Sequence, residues 1–327
     1  MSDRVLNGAL AAAALAAIVG ACFLGSVPLP PGRLLAALAG GGLPGDAVVV
    51  WAVRLPRALA AFTAGVALGA SGAALQGLLR NPLAEPGVLG VSAVSAFAAT
   101  IVLATGVGAS IAWAVPLAAI GGALAATVLI AGVALIARSA VTLLLVGIGL
   151  SSFAGALMAL LMNLSPNPFT LADLINWSLG SVANRSFADL ALPAPFLAAG
   201  LALLWSHRHG LSALTLGEEA AAGIGLDLRR QRLAVVVGAG LATGAAVGIA
   251  GAIGFVGIVA PHLVRSRAGH DPGRSLLPAA LLAGLLLVLA DMVVRVLPGP
   301  GELRLGVAAA LAGAPVFVAI ALRRRLA

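Results

Sequence analysis

Residues 276–296 read LLPAALLAGLLLVLADMVVRV, twenty-one positions whose only charges are Asp291 and Arg295 near one end. A helix rises about 1.5 Å per residue, so this run covers about 30 Å, the thickness of a bilayer's hydrocarbon core. In hydrocarbon an unsatisfied peptide group is costly, and a helix satisfies its own. The stretch therefore reads as a spanning helix. Working outward, similar apolar runs lie near 8–25, 56–80, 87–106, 111–136, 140–162, 189–206, 232–250, 254–267 and 306–322, which makes ten. The run 47–55 (AVVVWAVRL) stops at Pro56 and is too short to span alone, so it is expected at the surface or as a re-entrant piece. No series of short alternating strands suggests a barrel. The expected fold is an all-α polytopic membrane protein of about ten transmembrane helices.

Composition agrees. The 327-residue chain is 61% hydrophobic and 9% charged, far below the roughly 25% charged residues of soluble domains. All nineteen basic residues are arginine. With no lysine, a G-x-x-x-x-G-K-[ST] phosphate loop and Schiff-base catalysis are both excluded. Arginine favours cytoplasmic loops. With both termini cytoplasmic, Arg4, Arg80, Arg138, Arg208, Arg229, Arg230, Arg232, Arg265, Arg267, Arg274 and Arg323–Arg325 fall inside, while Arg33, Arg54, Arg57, Arg185, Arg295 and Arg304 fall outside. Residues 1–327 read as one multi-pass domain with a cytoplasmic loop at about 207–231. No arginine stripe with interleaved aromatics argues for nucleic acid. Val19-Gly20-Ala21-Cys22 after an apolar run also fits a lipoprotein signal, but among so many spans it is read as the end of the first one.

That loop contains LGEEAAAGIGLDLRRQR at 216–232, six charges in a chain that has few. Gly217 can cap a short helix whose first turn carries Glu218 and Glu219, the sign the helix dipole prefers there, and Gly223 with Gly225 ends it. Two turns are too few to stand alone in water, so something must pack against them. Either the segment lies on its own protein or it receives a separate cytoplasmic one.

Glycines at helical spacing, Gly65 with Gly69 and Gly240 with Gly244 and Gly248, read as close helix packing. His207 and His209 lack any accompanying metal-ligand pattern, and His262 after Pro261 reads as shaping a helix end. No metal site is expected.

Several stretches together resemble the FecCD-type (BtuC-like) permease subunits of bacterial ABC importers for iron complexes, haem and cobalamin. They are Arg54-Leu-Pro-Arg57, Gly72-Ala-Ala-Leu-Gln-Gly77, Asn81-Pro-Leu-Ala-Glu-Pro86, Gly87-Val-Leu-Gly-Val-Ser92, Leu216-Gly-Glu-Glu219, Gly251-Ala-Ile-Gly-Phe-Val-Gly257, Pro261-His262 and Gly313-Ala-Pro315. They run from the second span to the last in family order. The resemblance implies a BtuC-like, type II importer permease fold in the bacterial inner membrane and a second copy of the chain with a substrate path on the two-fold axis. It also implies two cytoplasmic ATPase subunits, which would bind the ATP and Mg, and a periplasmic substrate-binding protein. This chain itself would bind no cofactor and catalyse nothing. By the same resemblance Leu216, Gly217, Glu218, Glu219 and Ala220 couple to the ATPase. Arg54, Arg57 and Arg295 would receive acidic side chains of the binding protein, although Asp291 and Arg295, four apart on one helix, can equally form a local ion pair. Asn81 and Leu83 match the cytoplasmic gate, with Ala140 and Val141 beside it. Some members carry a more polar Thr-Ser at that last place, so a hydrophobic constriction is expected here.

Mostly Ala, Leu, Gly and Val on the spans suggest a smooth path for a bulky chelate, and Arg185 in the outer segment 163–188 could attract substrate carboxylates. The resemblance favours an iron-containing substrate, haem ahead of a ferric siderophore, with cobalamin third. An ion-coupled carrier would need buried mid-membrane acids, for which Asp291 is the only candidate, and an intramembrane enzyme would need a clustered reactive set that is absent.

Overall fold

A computed structural model describes residues 2–25, 28–111, 113–136, 140–297 and 302–323; Arg138, Arg324 and Arg325 lie outside the described residues. In chain order the helices are α1 (Asp3–Ala21), α2 (Pro31–Leu38), α3 (Pro44–Ala47), a π-helical stretch Val48–Arg54, and α4 (Leu55–Leu78). Then follow α5 (Val91–Ala104), α6 (Val107–Ser110), α7 (Ala114–Ile136), α8 (Ala140–Asn163), α9 (Pro168–Ser178), α10 (Phe187–Ala191), α11 (Ala194–Ser206) and α12 (Arg208–Ala213). After a 3-10 turn at Leu214–Leu216 come α13 (Glu218–Gly223), α14 (Leu228–Ala250), α15 (Val256–Arg265), α16 (Pro272–Val296) and α17 (Leu305–Arg323). The described residues contain no strand.

Among the described residues, seven helical segments are long and apolar enough to cross a bilayer: 3–21, 44–78, 114–136, 141–163, 187–206, 228–250 and 272–296. Three shorter apolar helices, α5, α15 and the apolar part of α17, stand where the remaining runs were read.

One expectation changes, and two helix starts become defined. Residues 47–55 are not a separate surface piece: they join α3 to α4 in one helix of 35 residues. Their π-helical pitch, with the Leu55 N–H donating to the Val50 carbonyl, ends where Pro56, which has no N–H to donate, takes its place in the first turn of α4. The run read from 87 becomes helical only at Val91, because Gly90 caps α5 in the left-handed region at φ 79°. The run read from 254 starts at Val256. Before it Gly251–Phe255 is unwound, with Gly251 at φ 70° and Phe255 at φ 67°. An added Cβ at Gly251 would stand 2.6 Å from the Trp177 carbonyl oxygen, so the break in the helix is also a point of close backbone packing.

At the centre, α4 packs against α16 and α14, and α14 against α7 and α11. Lipid offers no hydrophobic drive for this association, so small residues must bring the backbones close. A Cβ on Gly69 would lie 2.5 Å from the Ala279 carbonyl oxygen, and one on Gly244 would lie 2.6 Å from the Ala123 methyl. The glycine spacing thus records the α4–α16 and α14–α7 seams. By contrast α8 leaves an apolar stripe open, with Val141, Leu145 and Ile148 each more than half exposed.

Candidate functional site

The short helix of the charged segment forms as read. Gly217 precedes it at φ 103°, and it closes with a Schellman motif: Leu226 N–H to Ala221 O at 3.0 Å and Gly225 N–H to Ala222 O at 2.9 Å, with Gly225 at φ 94°. Its required support comes first from its own chain. Ala221 is fully buried in the core, and Arg232 of α14 holds both carboxylate oxygens of Glu218 at 2.7 and 2.8 Å. Asp227 caps α14 through the Arg230 N–H at 3.0 Å and pairs with its guanidinium at 3.1 Å. Leu216 and Ile224, both about two-thirds exposed, and Glu219, Ala220 and Arg229 remain on the surface. The result is a short knob whose exposed face is apolar at Leu216 and Ile224 and charged at Glu219 and Arg229.

Loop 79–90, which carries Asn81 and Leu83, follows α4 at the same end of the bundle. Asn81 Oδ1 accepts the Leu83 N–H at 3.0 Å, an Asx turn that fixes the loop tip. α8 meets this loop at Ser151, whose hydroxyl donates to the Gly87 carbonyl at 2.8 Å, and at Gly147, where a Cβ would strike the Val88 backbone. Ala140 and Val141 open α8, about two turns before that contact, and the Val141 side chain is exposed.

At the opposite end, all three arginines read as docking residues turn inward. Arg54 is buried and donates to the Cys22 carbonyl at 2.8 Å. Arg57 reaches across from α4 to Asp291 on α16 at 2.9 Å and to Glu302 at 2.9 Å. Arg295 donates Nε to Asp291 at 2.8 Å, pairs with it through Nη2 as well, and gives Nη1 to the Ala21 carbonyl at 3.0 Å. The local Asp291–Arg295 pair is present, and Asp291 also serves Arg57. Spacing alone shows the first of these contacts and is silent on the second. Glu302 is the outward member, with about half of its side chain exposed.

Arg185 is not a simple loop arginine. Segment 163–188, read as an outer connection, contains α9, started by Asn167 as N-cap with Pro168 in the first turn, a signal present in the sequence. α9 presents Asp173, Asn176 and Trp177 to a cavity of about 520 Å³ that Arg185 and Arg304 also line. The Arg185 guanidinium stands 5.4 Å from the Trp177 ring centre. Its Nε and the Trp177 Nε1 are buried donors without a protein acceptor. Burial lowers the Arg185 pKa, and Asp189 opposes that shift. Arg304 is fixed by Asn176 Oδ1 at 2.7 Å. Two guanidiniums, the Trp177 indole and the Asp173 carboxylate thus share the lining of one cavity.

Among the described residues no three His, Cys, Asp or Glu side chains gather as metal ligands.

The model of the FecCD transport family matches residues 12–323. An uncharacterized ABC transporter permease protein of Bacillus subtilis is 38% identical over 83% of this chain and 78% of its own length. Two vitamin B12 import system permease proteins are similarly close. That of Klebsiella pneumoniae is 38% identical over 91% of this chain and 87% of its own, and that of Vibrio cholerae is 41% identical over 83% and 81%. A solved structure of a metal-chelate type ABC transporter in an inward-facing conformation superposes with a TM-score of 0.83 at 28% identity, covering 98% of this chain and 99% of that one.

Proposed function

The chain belongs to the FecCD transport family as an ABC importer permease, and from that premise we propose that it carries a bulky metal chelate inward across the bacterial inner membrane. The family match over residues 12–323 carries this reading. The end bearing the charged segment faces the cytoplasm together with both termini, as the arginine distribution favours. There the exposed crown of Leu216, Glu219, Ala220 and Ile224 seats a partner ATPase, which binds ATP and Mg and hydrolyses the nucleotide. Gly217 and Glu218 shape the knob, and Asn81, Leu83, Ala140 and Val141 border the gate. A second copy covers the apolar stripe of α8, whose Val141, Leu145 and Ile148 otherwise stand open.

At the periplasmic end an acidic side chain of the binding protein takes the place of Glu302 on Arg57, within the cluster that includes Arg54 and Arg295. The donor-rich cavity at Arg185 attracts carboxylates of the arriving chelate.

Haem or a ferric siderophore fits these carboxylate receptors. Cobalamin stands level with them as a substrate, because the relatives from Klebsiella pneumoniae and Vibrio cholerae are vitamin B12 permeases. The test is ATP hydrolysis by the assembled complex, stimulated in turn by binding protein loaded with haem, ferric siderophores and cobalamin. The true cargo stimulates most, and absence of stimulation by every chelate would overturn the substrate class.

A further inference from the structure

Glu85 belongs to neither the arginine cluster nor the ATPase-facing knob, yet its environment is unusual. It sits in loop 79–90, four residues after Asn81 and two after Leu83. Its carboxyl lies against the head of α15, where the Phe255 N–H lowers its pKa; Phe255 precedes that helix with φ 67°, a conformation rare outside glycine. α15 has no side-chain cap of its own. Glu85 thus stands at the head of that helix from another segment of the chain. The slot is shaped by glycines: an added Cβ would come within 3.4 Å of Glu85 at Gly87, 3.5 Å at Gly257 and 4.0 Å at Gly254. Nearby Gln76 donates to the Gly257 and Ile258 carbonyls at 3.4 and 3.5 Å.

We propose that Glu85 is a positioning residue for the gate: its carboxyl ties the loop carrying Asn81 and Leu83 to the head of the broken helix α15, and losing its proton favours conformations in which the loop meets water.

The sign follows from the surroundings. Burial pushes the Glu85 carboxyl up to about 7, and the Phe255 N–H opposes that only in part. Among the described residues, no charged side chain contributes to that shift. In the same loop Arg80 is charged and exposed, Gln76 and Asn81 are neutral, α5 and α8 carry no ionisable side chain, and His262 and Arg265 stand farther along α15, more than a turn from Phe255. A group whose burial favours the neutral form must, once ionised, favour the hydrated arrangement by the same factor. Near neutral pH both forms are populated, so the tie responds to modest changes at the cytoplasmic side.

The experiment is amide hydrogen exchange of residues 83–90 in the full chain, held in nanodiscs at pH 6 and pH 8 and normalised to intrinsic rates. It needs no substrate, so its outcome is independent of which chelate is carried. Wild type is expected to lose protection about tenfold between the two pH values, the change expected from a carboxyl at about 7 when shut and near its ordinary value when hydrated. Glu85→Gln keeps an acceptor for the Phe255 N–H but cannot ionise, so its protection should match at both pH values. Glu85→Ala removes the acceptor and should be less protected at both. Unchanged wild-type protection, or the same tenfold loss in Glu85→Gln, would overturn the proposal.

Discussion

Arg232, in the second turn of α14, grips both oxygens of Glu218, the first residue of α13, at 2.7 and 2.8 Å. This pair divides the charged segment into an inner part that holds the knob in place and an outer part left for a partner. Glu218→Ala should therefore loosen the knob itself. The pair is partly exposed, so the expected cost is about 1 kcal/mol, seen as faster hydrogen exchange in residues 218–226. The exchanged pair Glu218→Arg with Arg232→Glu should recover much of it.

Leu216→Asp and Glu219→Arg change only the exposed crown. Both should leave the melting temperature within a degree or two of wild type while weakening co-purification with the ATPase about tenfold, the scale of one lost interface anchor. A melting temperature that falls with either variant would show the crown to be packed rather than presented.

Asp291 serves two arginines, Arg57 and Arg295, in an enclosed site. Asp291→Asn leaves buried cations short of their counter-charge, so thermal unfolding should register a loss of about 3–5 kcal/mol. Glu302→Gln, changing a half-exposed partner of Arg57, should cost under about 1 kcal/mol and strengthen association with the binding protein by freeing Arg57. Surface plasmon resonance with the binding protein checks the second effect.

The Glu85 carboxyl, raised from its ordinary value to about 7, gives a pH signature in stability. Because the folded pKa lies above the unfolded one, its contribution is fully present below about 4.5 and is lost as pH rises through 7. Glu85→Gln should therefore equal wild type near pH 4 and exceed it by about 3 kcal/mol at pH 8, measured by thermal unfolding in nanodiscs.

Much of the fold is legible from residues 276–296 and the runs like it, because hydrocarbon permits few alternatives to a self-satisfied helix. Gly65, Gly69 and Gly244 likewise declare close seams without naming the partner helix. What local pattern cannot carry is tertiary choice. Pro56 looks like a boundary, yet a π-helical stretch joins 44–78 into one helix. Gly251 and Phe255 widen the break between the runs 232–250 and 254–267, because backbone from α9 crosses there. At the site, Gly217 and Gly225 announce the knob correctly, since capping is local chemistry. The inward turn of Arg54, the sharing of Asp291 and the placing of Glu85 at the head of α15 join residues distant in sequence, and no spacing encodes them. Asn167-Pro168 did signal α9, and with it the framework around Arg185.

The most direct measurement is uptake into proteoliposomes that contain the chain with its ATPase, supplied with the loaded binding protein. Uptake should require ATP, and Leu216→Asp with Glu219→Arg should abolish both uptake and the stimulated ATP hydrolysis. Uptake by the chain alone, driven by a proton gradient and indifferent to that double substitution, would contradict coupling through the knob.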